Sequence, residues 1–554
     1  MTLPAADGDT RTAVGLPAQL RTEPSATEFS GASNSRLARA ALFTALLSAA
    51  GALLGLGRDQ SLAHLFGAGS ETDAFLVAWT VPEFAATLLI EDGLAFVLVP
   101  AFSAAVARRA QARGTDPVRS LLSSSLPRFG LAFLAAAVLL IAGAPFLVRA
   151  LAPGLPDAQL AVDCTRLTAT CALTFGLTGY CSAALRAHGC YVPPAAIYVA
   201  YNIGIIATML VCGTRFGVRS AAMGVAVGGC LMVAIQLPAF HRRLISAKAA
   251  ERLAGVTGDE DAAKGRAMHL GLIAAVLTFA LCKQSQVFIE RFLASSLAAG
   301  SISHLNYAQK VSQLPMVLSL MLCTVTFPVV ARAVARGDIA AARARVERDL
   351  GLAACVVLLG AAAIFACAPQ IIHVLFQRGA FTADDTAATA SVMRVYALGL
   401  LGHSMVGALV RSYFSAGRPT WYPVGAMAVG MGVTAGVGSW AVDLWGVRGI
   451  AGANAFGITL TAVLLLAAMD RRGVPVDVSR VLAEMGKPLL AAAGATVAGL
   501  MAAASFTSPL AAGAAGCLAV TAVFVLLLWA LRAESLAPLV PVVRSATRRL
   551  RHAR

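Results

Sequence analysis

PRFGLAFLAAAVLLIAGAPFLV, residues Pro127 to Val148, decides the fold class: after Arg128 it runs for twenty residues without a charge. A helix rises ~1.5 Å per residue, so this run covers ~30 Å, the hydrocarbon thickness of a bilayer. Runs of the same kind recur from Arg36 to Arg532, near 37–57, 73–105, 127–148, 161–187, 191–212, 219–240, 268–298, 303–334, 347–368, 385–414, 420–442, 448–469, 485–506 and 511–531. The expectation is an all-α polytopic membrane protein of about fourteen spans. No strand alternation is present, which argues against a barrel.

Composition agrees. Of 554 residues 58% are hydrophobic and 13% charged, against roughly 25% charge in soluble domains, and the mean hydropathy is +0.76. The formal charge is +16, but the basic residues are spread over short loops instead of being gathered with aromatics on one module, so no nucleic-acid partner is expected. Eleven cysteines are scattered through apolar stretches with no C-x-x-C and no His at ligand spacing. They read as small buried hydrophobes, and no metal or cofactor is expected. The first ~35 residues lack the charged start and apolar core of a signal peptide.

Alternate loops should be rich and poor in Lys and Arg if the span count is right. One set holds Arg108, Arg109, Arg113 and Arg119, then Arg242, Arg243, Lys248 and Arg252, then Arg332, Arg336, Arg343 and Arg345, then Arg471, Arg472 and Arg480, and finally the tail beginning at Arg544. The other set holds only isolated residues such as Arg149, Arg215, Arg378 and Arg448. Both termini are therefore expected in the cytoplasm. The polar stretch His241 to Lys264 divides the first twelve spans into two sets of six. This gives a disordered tail (1–36), an amino-terminal lobe (37–240), a linker (241–267), a carboxy-terminal lobe (268–469), a final helix pair (470–531) and a basic tail (532–554). Two lobes around a central cavity suggest a transporter.

Ionisable residues at bilayer depth cost several kcal/mol each unless they face protein or water, which makes them functional candidates. The second span holds Glu83, Glu91 and Asp92, the seventh Lys283, Glu290 and Arg291, the eighth Lys310 and the tenth Arg394. Lys283, Gln286 and Glu290 share one helical stripe, and Glu83, Thr87 and Glu91 form another, with a kink expected at Pro82. A self-satisfied Lys283–Glu290 network is the alternative for the first stripe. Lys310 suits an anion, or else snorkels to the interface. Arg58 and Asp59 at the end of the first span read first as a helix anchor.

Three blocks of sequence resemble one family. They are Gly55-Leu56-Gly57-Arg58-Asp59 with Leu65-Phe66-Gly67-Ala68 and Thr72-Asp73-Ala74-Phe75; Gly300-Ser301-Ile302-Ser303 with Asn306-Tyr307-Ala308-Gln309-Lys310 and Gln313-Leu314-Pro315; and Leu375-Phe376-Gln377-Arg378-Gly379-Ala380-Phe381-Thr382 with Tyr413 and Gly417-Arg418-Pro419-Thr420. In this order they are similar to the MurJ/MviN lipid II flippases of the multidrug/oligosaccharidyl-lipid/polysaccharide exporter superfamily. The resemblance implies two six-helix lobes in a V around a cationic cavity, a final helix pair grooved for a lipid tail, and alternating access for a polyprenyl-linked saccharide in the bacterial inner membrane. It adds Arg58, Asp59 and Asp73 to the candidate cavity residues. The further partners it implies are membrane lipids and cell-wall synthesis proteins.

The chain departs from the pattern in its charges. Ala52 stands where the family carries Arg, Ala86 and Thr87 where it carries an Arg pair, Glu91-Asp92-Gly93-Leu94-Ala95 where it reads E-G-A-F-S, and Lys310 where it carries Arg. For the sodium site of some members only Asp443 stands near spans eleven and twelve. Lys283, Arg291 and Lys310 are the expected anion contacts, with Glu83, Glu91 and Glu290 tuning the cavity and Arg394 as a further cavity residue. The expected function is a flippase for lipid II or a related cell-wall precursor. The alternatives are export of another lipid-linked glycan, export of amphipathic drugs, and a non-transporting scaffold. A glycosyltransferase is disfavoured because the outer loops are short and the Asp384-Asp385 pair reads as a helix start.

Overall fold

The computed structural model describes residues 26–91, 93–109, 116–245, 270–415, 420–469 and 476–532. Asp92, Gly417-Arg418-Pro419, most of the linker and most of both tails lie outside the described residues. Every element among the described residues is helical: α1 (Ala26–Phe66), α2 (Ser70–Ala78), α3 (Thr80–Ala85), a π-helix (Ala86–Glu91), α4 (Gly93–Arg109), α5 (Pro117–Leu151), α6 (Ala158–Thr168), α7 (Cys171–Ala187), α8 (Val192–Phe216), α9 (Arg219–Phe240) with a short π-helix (His241–Ile245), α10 (Leu270–Ala294), α11 (Ser301–Ala335), α12 (Ile339–Phe376), α13 (Ala383–Ser415), α14 (Tyr422–Trp445), α15 (Val447–Ala467), α16 (Val478–Ala504) and α17 (Pro509–Ala530).

Counting α2 to α4 as one rod and α6 with α7 as another gives fourteen rods among the described residues. Among the described residues, eleven helical stretches are long and apolar enough to cross a membrane by length and composition. The other three rods are the broken pair α6–α7 and the charge-bearing α10 and α11. Side chains such as Leu139, Val211 and Trp529 are more than two-thirds exposed. On a membrane-spanning bundle these are the lipid-facing surface.

Packing divides the rods. In the first six, α8 packs on α9 and α1, α7 on α9 and α4, and α5 on α6 and α7. In the next six, α14 packs on α15, α13 on α15, α12 and α11, and α10 on α14. The helices α16 and α17 pack on each other and on α12. Backbones approach closely where small residues allow it, as at Gly204, whose Cβ would fall 2.8 Å from the Gly228 Cα. The two sets of six meet through a few elements: α2 with α11, α3 with α10, α5 with α10, and α1 with α12.

Candidate functional site: the seam between the lobes

The second rod is broken where it faces the other lobe. The helix stops at Ala78 and restarts at Thr80, which places Pro82 in the first turn of α3, where its missing N–H has no intrahelical partner to lose. The Thr80 hydroxyl donates to the Val77 carbonyl (2.6 Å). Glu83 comes next, and its two oxygens take two cations from the opposite lobe: Arg291 Nη2 of α10 at 3.0 Å and Lys310 Nζ of α11 at 3.1 Å. Arg291 also donates through Nη1 to the Thr80 hydroxyl. The side chains of Arg291 and Glu83 are 6% and 17% exposed, so this is a largely desolvated cluster, while that of Lys310 is 33% exposed. A cavity of about 20 Å³ beside it, lined by Glu290, Arg291, Asn306 and Gln309, is large enough for one water.

The expected Glu83–Thr87–Glu91 stripe is not one face. The π-helix from Ala86 to Glu91 adds a residue to the turn and rotates the end of the stripe by about 100°. Glu91 consequently turns to α8, is exposed, and accepts from the Tyr198 hydroxyl (2.8 Å).

On α10, Gln286 donates to Glu290 (3.2 Å) and Asn454 of α15 donates to the same carboxylate oxygen. Asn454 Oδ1 lies 3.2 Å from His403 Nε2 of α13. Glu290 is thus enclosed by amides within its own lobe, while Lys283 is exposed. The adjacent Phe288 stacks on Phe84, ring centroids 4.3 Å apart. With Leu151, Ile289, Phe292 and Leu293 it lines an apolar cavity of about 540 Å³ between α5, α10 and α14.

Three other candidates lie away from the cluster. Arg58 bonds to Asp59 (2.7 and 3.0 Å) and to Asn202 of α8 (3.3 Å), and lies over the Trp79 ring at 4.2 Å. It ties α1 to α8 and to the break in the second rod. Arg394 donates to the Phe365 carbonyl at 3.0 Å. Pro369 cannot bond that carbonyl, and α12 is bent there, with non-helical angles at Cys367. Arg394 therefore repairs a proline kink instead of lining the seam.

Asp73 is the largest departure from the expected cavity role. Its Oδ2 accepts from the Gly300 N–H (2.7 Å) and its Oδ1 from the Ser303 N–H and hydroxyl (2.8 and 2.6 Å), so α2 of one lobe supplies the N-terminal cap of α11 of the other. Around it the three sequence blocks converge. Gly300 (φ +91°) presses on the Ala68 carbonyl, where a Cβ would fall 2.5 Å away, Gly67 (φ +67°) presses likewise on the Ala380 carbonyl, and Ala380 N donates to the His64 carbonyl at 2.9 Å. Asp384 and Asp385 occupy the first turn of α13, and Asp385 accepts from the Thr382 N–H (2.8 Å). The blocks build the joint that closes one end of the seam.

Sequence reasoning missed Thr80, Asn202 and Asn454. A lone amide inside an apolar run was the available signal for the two asparagines, since an unpaired amide is costly there.

A family model described as "Lipid II flippase MurJ" matches residues 62–521. The lipid II flippase MurJ of Burkholderia cenocepacia is 27% identical over 450 residues, which cover 78% of this chain and 84% of the relative. The probable lipid II flippase MurJ of Bdellovibrio bacteriovorus is 27% identical over 475 residues, 82% and 87% of the two chains. Among solved structures, a lipid II flippase MurJ in an inward closed conformation superposes with a TM-score of 0.69 at 20% identity, covering 88% of this chain and 98% of that one. An inward-facing multidrug resistance MATE family transporter of the MOP superfamily gives 0.60 at 16% identity, covering 78% and 96%. At these identities the structural likeness speaks for the fold.

Proposed function

The chain belongs to the lipid II flippase MurJ family, and from that membership we propose that it moves lipid II, or a saccharide on the same kind of polyprenyl diphosphate, from the inner to the outer leaflet by alternating access. It is a multi-pass protein of the bacterial inner membrane and a transporter by family. The observation that carries the reading is the pair of cations, Arg291 and Lys310, held at the seam between two lobes that touch through few elements. A diphosphate cannot cross hydrocarbon alone. An Arg fork beside a Lys point charge is a donor set that suits phosphate oxygens. Lys283, exposed on the same helix, extends the anion path, and Glu290 fixes the α10 register by its bond to Asn454 of α15.

The alternation of Lys and Arg between loops supports cytoplasmic termini, which places the Asp73 joint at the outer face and leaves the seam to open inward. The lobes are residues 37–240 and 268–469, joined by the linker 241–267 and succeeded by the pair within 470–531, which keeps the polyprenyl chain beside lipid. The basic tail is residues 532–554, and cell-wall synthesis proteins are the further partners of this reading.

The test is complementation. A host depleted of its own lipid II flippase and expressing this chain should grow and expose lipid II at the outer leaflet. The Arg291→Met, Lys310→Met double variant should reach the membrane folded and fail to rescue. Failure of the expressed wild-type chain would favour another lipid-linked glycan or another cargo, and rescue by the double variant would remove the two cations from the mechanism.

A further inference from the structure

We propose that Glu83 is the counter-ion of the empty carrier: it occupies the Arg291–Lys310 pair when no substrate is bound and yields it to the diphosphate of an incoming lipid. The proposal rests on the reading of that pair as the anion site.

The in-span acids divide by what holds them. Asp73 is bound by backbone N–H groups and a hydroxyl, Glu290 by amides, Glu91 by a phenol, and Asp59 by Arg58 next to it in the chain. These are fixed structural partners. Each oxygen of Glu83, by contrast, meets a cation, and both cations come from the other lobe, more than 200 positions away in the chain. A carboxylate so placed offers the pair what a phosphate would offer, acceptor oxygens and negative charge, with one charge in place of two or more. A carrier that flips lipid in one direction must return empty. Two uncompensated cations in a desolvated seam would oppose that return, because a buried charge that loses its partner is strongly unfavourable. Glu83 removes the penalty by bridging the lobes in the unloaded state.

Exchange of Glu83 for substrate then has two consequences. The affinity for diphosphate is held down by an internal competitor. Loading also breaks the α3 link to α10 and α11, one of the few ties across the seam, so occupancy and lobe release become the same event.

The test uses the full chain in lipid nanodiscs with farnesyl diphosphate as the probe and farnesol as its uncharged control. Glu83→Gln, which keeps the shape and removes the charge, should bind farnesyl diphosphate about tenfold more tightly than wild type, with farnesol unchanged. In proteoliposomes the same variant should show a lower KM and a lower kcat for flipping, because the return of the empty form slows. Glu83→Asp, which keeps the charge on a shorter arm, should fall between the two and guards against misreading a folding defect. A preference for diphosphate over farnesol that both variants leave unchanged or weaken would overturn the proposal alone, making Glu83 a brace. Absence of that preference in wild type and variants alike would overturn the anion-site reading together with the proposal.

Discussion

Asp73→Asn isolates the joint at the end of the seam. The carboxylate accepts three hydrogen bonds at the start of α11, from Gly300 N–H, Ser303 N–H and the Ser303 hydroxyl, at 2.6 to 2.8 Å. Asparagine is isosteric but keeps one acceptor oxygen and sets an NH₂ donor against a donor at the other position. A hydrogen bond to a charged group contributes about 1.5–3 kcal/mol, so losing one outright and the charge from the others should cost about 3 kcal/mol, a factor of about 100 in the opening equilibrium. The amides of Gly300 and Ser303 stand at a helix start with no intrahelical partner, and the carboxylate is what shields them. Hydrogen–deuterium exchange of a peptide covering residues 296–306, in full-length protein in nanodiscs, should therefore quicken about 100-fold, while peptides from α15 are unchanged. Equal exchange in variant and wild type would refute the assignment of Asp73 as the cap that holds the lobes together.

Gly300→Ala places a side chain at φ +91° with its Cβ 2.5 Å from the Ala68 carbonyl; the joint should weaken by about 1–3 kcal/mol, read as faster exchange over the same peptide. At the α4–α5 turn, burial raises the Asp116 carboxyl, but the Arg109 guanidinium and the Val118 N–H outweigh it and hold the group below the usual carboxylate range. A depressed folded-state value means that the contribution is complete above the unfolded-state range and is lost as pH falls through the folded value. Amide protection at the start of α5, measured against the intrinsic exchange rate at each pH, should accordingly fall only below about pH 4, and Asp116→Ala, which removes the cap, should abolish that step and loosen the start of α5 by about 1 kcal/mol.

Much of the fold was legible because a bilayer imposes length and apolarity on each rod separately, and both can be read along the chain. The break in the second rod was legible too, since Pro82 lacks an N–H, although the helix yields one turn earlier, at Trp79. The phase of Glu91 was not legible, because a π-helix turns on where backbone bonds shift register, and the run Ala86 to Glu91 carries no residue type that announces it. The pairings of Glu83 with Arg291 and of Asp73 with Gly300 were beyond reach for another reason: each joins positions more than 200 residues apart, which no local pattern encodes. The depth of Arg394 in the tenth span was visible, but its employment was not, since it answers a proline in a different helix.

The joint at the end of the seam presses peptide groups together, the carbonyls of His64, Ala68 and Ala380 against Gly67, Gly300 and Gly379, and beside them one apolar cluster unites Phe75 and Leu76 with Ile302, Leu305, Tyr307, Phe376 and Phe381 of the other lobe. Parting the lobes there uncovers oil as well as amides. Apolar exposure is what raises heat capacity, and polar exposure lowers it. The balance between shut and parted forms should therefore carry a positive heat-capacity change and shift with temperature. A bacterium that warms or cools would reset its own gate.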